Sequence, residues 1–188
     1  MNLKQVLFTL CFTTLGLITS NSLNAQDGST DNHTIGIEIP EVALVDIEPA
    51  ASKNITMNFT APTEAGDPIE APDDNTDLWI NVSSIKSTGD PTRTVSVKLT
   101  ALVPGVDIKV TAAADAGQGA GTLGTPGAQL TLTTSDQSLV TGIGSGYTGN
   151  GASSGYNLTY NVSSPDSDYS NLSATSATAT VTYTISDN

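Results

Sequence analysis

Clustered carboxylates are the first residues in this chain whose chemistry could amount to a site. Between Pro62 and Asp77 lie Glu64, Asp67, Glu70, Asp73, Asp74 and Asp77, with three prolines and no cation. Hard oxygen ligands of this kind suit calcium, and Asp73, Asn75 and Asp77 have the opening spacing of a calcium loop. Leu78 stands where that loop needs glycine, and Ser84 where it needs its closing glutamate. A solvated acidic loop accounts for the segment better, and calcium is the one cofactor the residues put forward.

Glycine supplies the next pattern. Gly119, Gly121 and Gly124 satisfy G-x-G-x-x-G, and so do Gly144, Gly146 and Gly149. Dinucleotide binding needs that motif between a strand and a helix N-terminus, whose amides receive the pyrophosphate. No helical periodicity follows either copy, so both stretches are expected to be flexible loops between strands. Catalysis finds little to use. His33 is the single histidine and Cys11 the single cysteine, so a serine triad would have to use His33. Paired carboxylates for glycoside hydrolysis could come from distant strands, which leaves an enzyme as the third of three function classes. Trp79 points opposite to Leu78, Ile80 and Val82. With Tyr147 it forms a candidate surface for stacking a glycan, against the plainer reading that the tryptophan packs.

The elements that would carry these residues are strands. Apolar residues recur at every second position in Ile55–Phe59, Leu78–Val82, Val95–Ala101, Val106–Ala112, Ala128–Leu132, Tyr156–Val162 and Ala177–Ile185. That is the signature of strands with one buried face. Leu139-Val140 reads as a further short strand, and Pro104-Gly105 as a tight hairpin turn. Ahead of these, Ile35, Ile37 and Ile39 alternate, and after Val42 and Leu44 the apolar phase switches at Val45 and Ile47. A bulge or change of sheet near Asp46 would explain the switch. The expected fold is all-β: an antiparallel Greek-key sandwich, immunoglobulin-like or jelly-roll-like, of about 8–10 strands.

The first residues speak to compartment. Met1–Lys4 give a short start made basic by Lys4, Val6–Ile18 are mainly apolar, and Ser20–Ala25 are mainly small and polar, as in a signal peptide cleaved after Ala25. The run is shorter than the roughly 20 residues that span a bilayer, and no second one follows. Removal takes Cys11 with it, so the exported domain would be held by its core without disulfides. Asn24-Ala25-Gln26 resembles the end of Bacteroidetes signal peptides. The whole chain carries a formal charge of −13, which repels phosphate backbones and argues against nucleic-acid binding. The expected organisation is residues 1–25 signal peptide, 26–33 flexible arm and 34–188 one sandwich domain. The expected location is extracellular or cell-surface, with the periplasm as the other compartment.

The remaining signal is the arm itself. Polar residues Gln26–His33 lead into Thr34–Ile39, closed by Pro40. Such a segment could complete the sheet of a neighbouring subunit, or pair within its own sandwich as the first strand. The layout of signal peptide, short arm, Thr- and Gly-rich sandwich and alternating final strand resembles chaperone–usher-type pilins and spore-coat-U-like secreted proteins. That resemblance implies a non-catalytic surface subunit, self-associating or contacting other surface proteins. The runner-up is an extracellular carbohydrate- or protein-binding module.

Overall fold

The computed structural model describes residues 28–188; the leader and its cleavage point lie outside them. The chain divides into two units at Glu38/Ile39. In the first, Gly28–Glu38 pair with no strand. The second, Ile39–Asn188, is an antiparallel β-sandwich of nine strands among the described residues. In chain order these are β1 (Val42–Glu48), β2 (Trp79–Ile85), β3 (Arg93–Leu99), β4 (Asp107–Asp115), β5 (Ala120–Pro126), β6 (Leu130–Thr131), β7 (Gln137–Tyr147), β8 (Tyr156–Ser163) and β9 (Val181–Asp187).

One layer runs β1-β2-β8-β4-β6 and the other β5-β7-β3-β9. They are continuous through β2, which pairs with β8 at Trp79 and Ile80 and with β7 at Ser83 and Ser84. Among the described strands, β1 and β2 are the sole ladder partners that are also neighbours in sequence. Inward side chains merge into one core: Ile80 and Val82 of β2, Val95, Val97 and Leu99 of β3, Val110 of β4, Leu139, Val140 and Ile143 of β7, and Tyr156, Leu158 and Tyr160 of β8.

A cation is sealed into one corner of the sandwich. Arg93 is 1% exposed. Its Nε donates to Asp187 Oδ1 at 2.8 Å, and its terminal nitrogens donate to the Glu41 carboxylate, Ser84 Oγ (3.1 Å) and the carbonyls of Val42 and Ile85.

Several expectations are corrected. Val106 N–H does donate to Val103 C=O at 3.1 Å, closing a turn around Pro104-Gly105. Yet β3 and β4 do not pair, because the turn carries the chain from one layer to the other. No bulge lies near Asp46: β1 pairs with β2 in unbroken register from Val42↔Ile85 to Glu48↔Trp79. The phase switch instead marks Leu44 pointing outward while Val45 and Ile47 pack on the core. Ile55 and Met57 also pack there, but their stretch belongs to no strand. Alternation reports which side chains are covered, and covering needs no ladder. Both glycine-rich stretches, expected as loops, lie largely within paired strands, β5 and β7.

β9 is an edge strand, which separates two groups of residues expected to be equally buried. Leu99, Val110 and Leu158 are 2% exposed or less, whereas Val181 and Ile185 are half-buried. Leu158→Ala should therefore destabilise by about 2–5 kcal/mol through lost transfer energy and cavity formation. Val181→Ala should cost clearly less, as measured by denaturant unfolding; equal costs would contradict the edge position of β9.

A second expectation concerns alkali. The hydroxyls of Tyr160 and Tyr183 hydrogen-bond to each other between β8 and β9. Burial pushes Tyr160 up to about 12, partly offset by that hydrogen bond, and burial also raises Tyr183, with Tyr160 adding to the effect. The folded protein thus holds these phenolic protons more tightly than the unfolded chain. Their contribution is complete below the ordinary tyrosine value of 10.0 and is lost as pH climbs toward about 12. Thermal unfolding followed across that window should show a falling midpoint, and the double variant Tyr160→Phe/Tyr183→Phe should flatten the fall.

Candidate functional site

A trough forms on the outer face of β1, β2 and β7, and the ladder registers dictate it. Leu44 pairs with Ser83, and Ser83 with Tyr147, so these three side chains form one row across the sheet. The outer two are large and exposed, Leu44 at 63% and Tyr147 at 54%, while the middle one is small. Two walls and a low floor result. The depression is about 530 Å³, lined chiefly by Leu44, Asp46, Asn81, Ser83, Tyr147 and Asn150. Toward the next outward row, Val42↔Ile85, it continues into a second hollow of about 250 Å³.

The rim is held in place by buried polar groups. Asn81 is 7% exposed and spans from β2 to the Thr148–Gly155 loop: its Nδ2 donates to Ser154 C=O (2.7 Å) and its Oδ1 accepts from Gly151 N–H (2.6 Å). Thr148, fully buried, donates its N–H to Val82 C=O (3.1 Å) and accepts Val82 N–H on Oγ1 (3.0 Å). These bonds hold Asn150 beside the trough. Asp46 spends Oδ1 on the Ile47 N–H at 2.8 Å. Its Oδ2, Ser83 Oγ, the Tyr147 hydroxyl and the Asn150 amide make no hydrogen bond among the described residues, so polar groups surround an apolar cleft.

The β2–β7 ladder places Tyr147, and β7 is at the same time packed closely against β5. A Cβ on Gly146 would lie 2.8 Å from Ala120 C=O, and one on Gly144 would lie 2.9 Å from Thr122 Cβ. Gly121, at the register shift between the strands, and Gly124, just beyond it, adopt φ of +95° and +79°. The two G-x-G-x-x-G matches are thus one structural device, a pair of strands packed too tightly for side chains.

Of the sequence-derived candidates, Trp79 and Tyr147 share an outer face but are not brought together. Trp79 lies four residues from Ser83 along β2, roughly 13 Å away, and is half-buried between Glu48 and Asn157 in register. Leu44, Asp46 and Asn150 were not singled out from sequence; the outward phase of Val42 and Leu44 was the signal that could have found the first. Ile35, Ile37 and Ile39 are 71%, 81% and 71% exposed.

In the acidic loop, amides occupy the carboxylates. Asn75 Nδ2 donates to Asp77 Oδ2 (2.7 Å), Asp77 N–H to Asn75 Oδ1 (3.2 Å), and Asn161 Nδ2 to Asp74 Oδ1 (2.8 Å). Asp73 is exposed. Among the described residues no three His, Cys, Asp or Glu side chains converge as a metal site, and no helix is long and apolar enough to cross a membrane.

No protein-family model matches the chain, nor does any characterised protein or solved structure.

The glycine reading is testable. Gly146→Ala should cost about 1–3 kcal/mol by forcing β5 off β7, and amide exchange in β5 should accelerate. Gly36→Ala, whose Cβ would meet nothing within 4 Å, should leave stability unchanged. Equal effects of the two would refute close packing as the reason for the glycines.

Proposed function

We propose that the protein is an exported, non-catalytic structural or adhesive subunit that associates with copies of itself through Thr34–Ile39. The carrying observation is the exposure of Ile35, Ile37 and Ile39 on a segment with no strand partner. Three apolar side chains at alternate positions gain nothing in water, and together are worth roughly 5–8 kcal/mol once buried, before ordering costs.

β9 provides an edge that suits them. Thr100 N–H donates to Thr180 C=O (2.9 Å) and Asn188 N–H to Thr92 C=O (3.3 Å), so the even-numbered residues of β9 are those bonded to β3. The backbone groups of Val181, Tyr183 and Ile185 then face away from β3, and their half-buried side chains border the core. An added strand would pair with that edge and set its isoleucines beside these three residues at the same two-residue spacing. The strongly acidic surface makes such association salt-dependent, since screening weakens repulsion between like-charged copies.

Light scattering on the full chain should show self-association that strengthens with salt. The variant Ile35→Ser/Ile37→Ser/Ile39→Ser should remain monomeric with an unchanged thermal midpoint. A monomeric parent whose midpoint falls in the triple variant would mean that the segment serves its own chain, and the proposal would fail.

A further inference from the structure

We infer that the trough between Leu44 and Tyr147 is a binding site for a neutral glycan. This does not rest on association through Thr34–Ile39, since it concerns a different face.

The chemistry of the lining selects the ligand class. A sugar ring has one apolar C–H face and a rim of hydroxyls that both donate and accept. The trough offers the Tyr147 ring, 54% exposed, and the Leu44 side chain, 63% exposed, to the first. To the second it offers Asp46 Oδ2 as an acceptor, the Asn150 amide as donor and acceptor, and the hydroxyls of Ser83 and Tyr147. A purely apolar partner would leave those groups dehydrated and unpaired, which is costly. Adjacent strands lie about 4.8 Å apart, so β1 and β7 flank β2 with roughly 10 Å between them, a width that admits a single sugar ring over Ser83. From Asn81 to Ile85 the floor runs roughly 13 Å along β2, the reach of a short oligosaccharide.

Charge narrows the class further. Asp46 at the rim and the formal charge of −13 disfavour uronates and sulfated sugars. The site is also pre-formed. Asn81, buried and bonded to both Gly151 and Ser154, fixes the loop that presents Asn150, and the β2–β7 ladder fixes Tyr147. Little ordering cost is left to binding.

Affinity electrophoresis of the full chain in native gels provides the test, with dextran, galactomannan, xyloglucan or laminarin as neutral probes and polygalacturonate as the charged one. At least one neutral polysaccharide should retard the protein. Tyr147→Ala should lose that retardation, and Leu44→Ser and Asn150→Ala should weaken it, all with thermal midpoints near the parent's. Trp79→Phe and the triple isoleucine variant should be retarded like the parent. The assignment is overturned if no neutral polysaccharide retards the protein, if polygalacturonate alone does, or if Tyr147→Ala migrates like the parent. Loss of retardation in the isoleucine variant would tie binding to self-association, and would overturn the trough as the site.

Discussion

A single guanidinium holds together parts of the chain that are far apart in sequence. Arg93 opens β3, yet its donors reach Glu41 and Val42 at the start of β1, Ser84 and Ile85 at the end of β2, and Asp187 at the end of β9. Removing such a cation from water is expensive, and it is tolerated when the donors of the planar fork meet acceptors, two of them charged. Both carboxylates are about half exposed, so the cation is sealed while its counter-charges stay wetted. The first and last strands of the sandwich are thereby tied at one corner, in a chain whose described residues contain no disulfide to do that work.

The strand pair beside the trough depends on the absence of side chains. Glycines let β5 lie close on β7, while the β2–β7 ladder sets Tyr147 across from Ser83 and leaves the small Ser83 between two large neighbours. Asn81 then satisfies backbone groups of the loop that follows β7, and Thr148 Oγ1 accepts the Val82 N–H of β2. The apolar core, the polar ties and the glycine contact each determine a different part of the trough. None of them alone would produce it.

How much of this was legible in the sequence differs by element. β2, β3, β4, β8 and β9 carry a two-residue apolar period because one face of each meets the core, so their existence and facing could be read directly. β5 and most of β7 could not, because glycine has no hydrophobicity to alternate; their reason for pairing is steric and visible only with both strands in place. Ile55 and Met57 mislead in the opposite sense, being covered without being paired. The turn at Pro104-Gly105 was readable from local chemistry, but the partners of the strands it joins were not, since those are set by contacts far along the chain. The trough shares that property. Tyr147 stood out by type alone, whereas Leu44, Asp46, Ser83 and Asn150 become one surface only through register.

The wiring of the ladders also has a kinetic consequence. Among the described strands, β1 and β2 alone are consecutive partners, and even they are separated by about thirty residues of irregular chain; β3 must wait for β9, whose ladder joins Arg93 to Asp187. Loop-closure entropy has to be spent before most native contacts return anything, so this topology belongs with the slow folders, on millisecond-to-second timescales. During that interval β3 keeps one edge bare, and the corner around Arg93 cannot close until the last strand arrives. A nascent chain of this design has no early, self-sufficient fragment, and whatever handles it before β9 is available handles an open sheet.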